Sequence, residues 1–310
     1  MPETRRGLWY GVAAYAMWGL FPLYWPLLKP SSAVEILAHR MIWSLVAVVA
    51  ILSVRRHWSW IRTLTRRQFV LLTLAAVLIS GNWGTYIFAV NTGHVVESAL
   101  GYFISPLVNI LFGVAVFRER LRRWQWVAVA LGGIAVVILT VAYGSLPWIA
   151  LTLAFSFGLY GLLKKAANVG AAESLTVETV VLLLPALGYL AVLGGENTFG
   201  AQGVGHALLL VGGGIVTAVP LLAFTAAAIR VPMSIIGILQ YIAPVLQFLL
   251  GVFVAHESMP ASRWAGFLVV WLALCVFTWD SLRNGLSFAH ASSEEPEEDL
   301  PKEALAARGR

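Results

Sequence analysis

The chain carries little charge and almost no cysteine. Only 12% of its 310 residues are charged, and its single cysteine, Cys275, lies inside an apolar run. One cysteine excludes an intrachain disulfide, and the position reads as a small core residue. There is no Walker-type glycine-lysine stretch, so drive by a P-loop nucleotide site is excluded. No acidic residue sits near the middle of a long apolar run, which argues against coupling through a mid-membrane carboxylate. His39 is the only histidine well inside such a run, with no His/Asp or Cys/His set beside it. An intramembrane hydrolase or acyltransferase therefore lacks its nucleophile and base, and neither a metal nor a cofactor is expected.

What the chain does have is apolar length. Hydrophobic residues make up 59%, more than a water-soluble chain of this size could hide. Apolar runs of about 20 residues recur from Leu8 to Leu282, each able to cross a hydrocarbon core of about 30 Å. Lipid leaves backbone groups no water to bond, so the spans are helices. Ten are expected, near 8–28, 33–54, 69–90, 98–117, 124–143, 147–166, 174–194, 205–228, 234–255 and 263–282. The end of the chain differs: 284–310 ends in "SSEEPEEDLPKEALAARGR", from Ser292, which is acidic and reads as a disordered, solvated tail.

Basic residues sort by loop. Arg5 and Arg6 precede the first span; Arg55, Arg56, Arg62, Arg66 and Arg67 lie between the second and third; Arg118, Arg120, Arg122 and Arg123 lie between the fourth and fifth. Lys164 and Lys165 follow the sixth, as topology anchors, and Arg230 follows the eighth, whereas the alternate loops hold only Lys29 and Arg263. This asymmetry puts both termini in the cytoplasm and accounts for the net charge of +6 without nucleic acid. It also makes "TRRGLW" (Thr4–Trp9) the cytoplasmic anchor of an uncleaved first span rather than an export signal. Trp58, Trp60, Trp124, Trp126, Trp148 and Trp264 fall near span ends, as an interfacial belt in contact with membrane lipid would.

The chain repeats itself at an offset of about 138 residues. "FISPLVNILFGVAVFRERLRRWQW" from Phe103 aligns with "YIAPVLQFLLGVFVAHESMPASRW" from Tyr241, pairing Pro106 with Pro244, Gly113 with Gly251, Glu119 with Glu257 and Trp126 with Trp264. "MWGLF" (Met17–Phe21) matches "SFGLY" (Ser156–Tyr160) one residue further out. Each half holds five spans, an odd number, so the second copy enters the membrane in the opposite sense, as in many secondary transporters. The units are 1–143 and 144–283.

Both halves resemble EamA domains of the drug/metabolite transporter superfamily, most closely its RarD branch. The resemblance rests on "HRMIWS" (His39–Ser44), "GNWGTYIFAVNTGHVVESALGYFISP" (Gly81–Pro106), "FGLYGLLKK" (Phe157–Lys165) and "LQYIAP" (Leu239–Pro244), and spans roughly residues 7–282. It implies an all-α integral membrane protein, a ten-helix bacterial inner-membrane carrier with a central cavity. Its substrates would be small molecules, amino-acid-like, amphipathic or drug-like.

The residues themselves offer candidates for lining such a cavity. Tyr102, Ser105 and Asn109 lie within about 60° on one helical face, and so do Gln240, Pro244 and Gln247, beside Tyr241. The repeat pairs Tyr102 with Gln240 and Asn109 with Gln247. These stripes either line a cavity or glue helices together. Pro106 and Pro244 each free a carbonyl, and broken helices often bound a substrate site. Asn82, Trp83 and Tyr86, with Trp18 and Tyr160, add polar and aromatic candidates suited to flat or cationic solutes. Arg40 is buried by span length at a cost of roughly 2.5–3.5 kcal/mol. Ser32 and Glu35 make a capping-box pattern, which starts the second helix at the outer side and puts Arg40 about 12 Å deep. An ion pair of Arg40 with Glu35 or Glu97, directly or across water, is expected; it either ties the second helix to the fourth, or Arg40 attracts anionic solutes or acts with His39 as an outer gate. His39 and Glu178 are the candidates for proton exchange. A secondary carrier is the leading reading; a non-transporting receptor or assembly factor is the alternative.

Overall fold

A computed structural model describes residues 3–293 apart from 55, 57, 118–120, 229 and 232, and every regular element among those residues is a helix. Arg55, Arg118, Glu119, Arg120 and the tail beyond 293 therefore lie outside the described residues. The helices are α1 (Glu3–Gly19), α2 (Phe21–Tyr24), α3 (Ala33–Val54), α4 (Arg66–Asn91), α5 (Val95–Phe117), α6 (Arg123–Tyr143), α7 (Trp148–Ala167), α8 (Ala171–Leu193), α9 (Thr198–Ala201), α10 (Val204–Ala228), α11 (Met233–Leu239), α12 (Ile242–Phe253) and α13 (Ala261–Ser293). Among the described residues seven helices are long and apolar enough to cross a membrane: α3, α4, α5, α6, α8, α10 and α13. Helices α7 and α12 are apolar but shorter by that measure.

Local chemistry sets the interruptions. The first expected span runs as α1, then α2 and a 3-10 turn at Trp25–Leu28, because Pro22 and Pro26 each withhold a backbone donor. The ninth breaks at Gln240 and Tyr241, so Pro244 falls in the first turn of α12, where its missing N–H has no intrahelical partner to lose. The expected equivalent break at Pro106 does not occur. Helix α5 runs through it, and the Ser105 hydroxyl donates to the Gly101 carbonyl at 2.9 Å.

Packing follows a regular scheme. Helix α3 packs on α8, α5 on α12, and α6 on α13. Helix α1 lies against α10 and α12, and α7 against α4 and α5; α3 also touches α10, and α8 touches α4. Small residues permit the tight crossings: a Cβ built on Gly101 would meet the Ala150 carbonyl of α7 at 2.7 Å, and one on Gly214 of α10 would run into the Trp43 backbone of α3. The outward faces are apolar, with Val137, Val141, Leu184, Leu208 and Leu268 exposed. Water would penalise such a surface and lipid does not. Cys275 sits on this exposed face of α13 and not in the core, because the α13 positions that bury, Phe267, Val270, Ala273 and Leu274, fill the other side. Trp126, Trp148 and Trp264 stand exposed in the first turns of α6, α7 and α13, in the manner of an interfacial belt.

Candidate functional site

The interior polar groups gather at three levels. At the end of the bundle formed by the N-termini of α3, α5, α7 and α13, glutamates reach across to helix starts. The Glu35 carboxylate accepts from the Thr198 N–H (2.7 Å) and hydroxyl (2.8 Å) at the start of α9. Ser31 and the His206 Nε2 complete that knot, within 2.6 and 3.1 Å of the Thr198 hydroxyl. Glu97 accepts from the Ile149 N–H of α7 at 3.1 Å. Glu257 accepts from Val95 and from Val96 (3.0 Å) at the start of α5. It lines a polar cavity of about 380 Å³ with His94, Glu97, Tyr143 and Arg263. Burial raises the Glu257 carboxyl above its usual range, although both amides and the charges of His94 and Arg263 pull it down. Ser32 caps α3 through the Glu35 N–H (3.2 Å), but the reciprocal half of the expected capping box is absent, because the Glu35 side chain has turned to Thr198.

One level deeper stands Arg40, 3% exposed. Its Nε donates to the Thr217 hydroxyl of α10 at 2.8 Å, and its guanidinium carbon lies 3.8 Å from the centre of the Trp83 ring, 5.1 Å from that of Trp25 and 5.7 Å from that of Phe21. The expected ion pair with Glu35 or Glu97 is not formed. Both carboxylates are engaged by helix N-termini, where free amides and the helix dipole compete well for a negative charge. Nη1 of Arg40 has no hydrogen-bond partner among the described residues, and neither have the Trp25 Nε1 and the Tyr86 hydroxyl. His39, the neighbouring side chain, stacks on Phe199 of α9 at 4.9 Å and 14°.

Asn82 is the polar hub beside this cluster. Its Nδ2 donates to the Leu153 carbonyl (3.0 Å) and the Ser156 hydroxyl (2.9 Å) of α7, and its Oδ1 accepts from the Tyr102 hydroxyl of α5 (3.3 Å). The Tyr86 and Tyr102 rings meet edge to face at 5.7 Å. The structure thus brings Asn82, Trp83, Tyr86 and Tyr102 together around Arg40. It places the other sequence candidates elsewhere. Gln247, 3% exposed, donates to the Trp18 carbonyl at 3.2 Å, and Trp18 packs on Tyr15 and Phe224. Ser105 bonds within its own helix. Asn109 is exposed, with its oxygen facing Gly158, so it does not match its buried repeat partner Gln247. Gln240 and Tyr241 are partly buried at the α11–α12 break.

At the far end, Glu178 is 1% exposed and pairs with Lys164 at 2.8 Å while accepting from the Tyr160 hydroxyl at 3.2 Å; Lys164 also reaches Ser174. Lys164 is therefore a half-buried partner of the buried Glu178 as well as a basic residue near a span end. At this same end a cavity of about 480 Å³ opens between α3, α8 and α10, lined by Leu52, Gly170, Glu173, Leu175 and Thr225 and reaching inward to Val48 and Ala218. Sequence reasoning missed Thr217, Phe21, Trp25 and the Ser31–Thr198–His206 knot. The signal for α10 was the run Gly212–Gly214, which marks where it closes on α3 and so what Thr217 can reach.

Residues 5–141 match the EamA-like transporter family. The chain is 61% identical to protein RarD of Streptomyces exfoliatus over 286 residues, 91% of each chain. It is 46% identical to YojE of Bacillus subtilis (strain 168), named an uncharacterized transporter, over 91% of this chain and 96% of that one. A solved crystal structure superposes with a TM-score of 0.56 at 19% identity, covering 89% of this chain and 98% of the other, which extends the likeness of fold to both halves. The protein is a multi-pass membrane transporter and not an enzyme, and its cargo is a small molecule. At these identities and coverages the chain belongs to the EamA-like transporter family, in its RarD branch.

Proposed function

We propose that the protein is a secondary carrier of small organic solutes in the bacterial inner membrane, working by alternating access between two oppositely inserted five-helix units, 1–143 and 144–283. The reading counts α1 with α2, and α11 with α12, as single spans, giving ten and leaving both termini cytoplasmic. The packing scheme supports it: exchanging the halves turns α7 on α4 and α5 into α1 on α10 and α12, and α3 on α10 into α8 on α4, all of which are present, although α3 on α4 has no matching α8–α10 contact of similar extent. An inverted repeat with a two-fold axis between α3 and α8 has this property.

The observation that carries the function is the interior itself. A cation, an amide hub and aromatic rings converge where α3, α4, α5 and α10 meet, with the Glu35–Thr198 knot and the His39–Phe199 stack above them and a cavity below. Polar groups inside a membrane protein mark solute paths. The segment 194–201 is then the outer gate, and Asn82, Trp83, Tyr86 and Tyr102 are the solute-facing set. The test is a melting-temperature screen of metabolites on purified protein, since a ligand that binds only the folded form raises that temperature, followed by flux of the hits into liposomes. Saturable flux abolished in Trp83→Ala is expected. Binding with no flux in either direction would make the protein a receptor instead.

A further inference from the structure

We propose that the Arg40 pocket is the receptor for a negative group on the transported solute, a carboxylate borne by a flat apolar body. The inference rests on the carrier reading and names the solute class for that same site.

The pocket holds a charge that no described residue neutralises. Arg40 is buried with no carboxylate at ion-pair distance among the described residues, its two best-placed candidates being held at helix starts. Stacking on Trp83 and the Thr217 bond make it tolerable, yet one face of the fork stays unmatched. The orphaned atoms around it have one character. Arg40 Nη1 and Trp25 Nε1 can only donate, and the Tyr86 hydroxyl can donate. Trp25 and Tyr86 belong to one buried cluster with Phe21, and Tyr24, Tyr86 and Tyr102 all lie within electrostatic range of the guanidinium. An uncharged acceptor could bond these donors but would leave the guanidinium charge uncancelled, and a cationic guest would add to it. A carboxylate offers two oxygens, matches the fork of an arginine and cancels its charge. The surroundings suggest the rest of the guest: the Trp83, Trp25 and Phe21 rings that surround the guanidinium would present apolar faces to whatever accompanies the carboxylate. Access from below is short, because the cavity between α3, α8 and α10 reaches Ala218, next in the chain to Thr217.

The full-length protein in lipid nanodiscs is titrated with benzoate, phenylacetate and indole-3-acetate, with their uncharged amides, and with benzylamine, at constant chloride. Melting temperature and tryptophan fluorescence are read. At least one carboxylate should bind saturably and at least tenfold more tightly than its amide. Arg40→Gln should remove that preference, and Arg40→Lys should keep part of it as a point charge without the fork. The wild-type comparison stands without the variants should Arg40→Gln fail to fold. Equal binding of amide or amine, no binding by any carboxylate, an equal response to added chloride alone, or a preference that survives Arg40→Gln would overturn the assignment. Saturable flux of a neutral or cationic solute, indifferent to Arg40→Gln, would also overturn it while leaving the carrier reading intact. Carboxylate binding without flux would uphold the pocket and overturn the carrier reading.

Discussion

At the scale of single residues, three glutamates at one end of the bundle do the same job. Glu35, Glu97 and Glu257 each accept from the first amides of a helix elsewhere in the chain, α9, α7 and α5. This explains how a chain with so few acids can leave Arg40 unpaired. It also makes Glu257 a measurable titration. Its carboxyl is raised by burial, so between the ordinary carboxylate range and its own higher value the folded form holds more proton than the unfolded form. Stability must then fall as pH rises through that window, and Glu257→Gln, which cannot ionise, removes the slope. The melting-temperature difference between wild type and Glu257→Gln should fall as pH rises above the ordinary carboxylate value of 4.5 and level off once the raised carboxyl has ionised; a flat difference would refute the assignment. The other titratable groups of that cavity, His94, Glu97, Tyr143 and Arg263, are retained in both proteins. Asn82 offers a second case. Asn82→Leu takes a donor from Ser156 and an acceptor from Tyr102, both inside the bundle. Bonds of this kind contribute about 0.6 kcal/mol each on average in membrane bundles, so a loss of about 1–2 kcal/mol in unfolding experiments is expected.

At the scale of helices, the α3–α10 crossing decides where Arg40 points. Gly214 lets the α10 backbone rest on that of Trp43, which brings Thr217 to the guanidinium. Gly214→Val places its branch against main chain, which cannot rotate away as a side chain can, and should cost about 1–3 kcal/mol or prevent folding. Purified yield and melting temperature check this, with Gly213→Ala as a mild control, since the nearest atom to a Cβ there is 4.0 Å away. The same crossing shows what the sequence could convey. Span positions were readable because each is an apolar run with turn residues at its ends: the α3 expectation of 33–54 coincides with the observed helix. Arg40, Asn82, Trp83, Tyr86 and Tyr102 were readable as interior because polar or amphipathic groups inside a span have few other places to go. Their partners were not. Whether Glu35 answers Arg40 or Thr198 depends on how α9, a four-residue helix in a connection, folds back over the end of α3, and no periodicity encodes that. The difference between Pro106 and Pro244 was equally silent, since each withholds the same donor, and the surrounding helix decides whether the chain bends.

At the scale of the whole molecule, the two halves are built alike and furnished differently. With the halves aligned at the longer offset, Phe21 and Trp25 correspond to Tyr160 and Lys164, and His39 to Glu178. In the first half the rings enclose the unpaired Arg40; in the second the corresponding positions close into the Lys164–Glu178–Tyr160 set, already neutral as a unit. In the proposed carrier one centre is open to a charged guest and the other is satisfied, and the proposed inverted arrangement would set them at different depths. That arrangement makes a prediction on sidedness. Arg122 pairs with Asp280 at 3.5 Å at one end of the bundle, while the α12–α13 connection, whose Glu257 holds the start of α5, lies at the other. In a Cys275→Ser background, a cysteine placed by Ser258→Cys should react with an impermeant maleimide in intact cells. A cysteine placed by Thr63→Cys, in the Arg-rich connection between α3 and α4, should react only after permeabilisation. Both variants sit in connections outside the helix cores, so expression should match the parent. If both labelled from the same side, the second half could not be an inverted copy of the first, and the opposing gates that alternating access requires would have no structural basis.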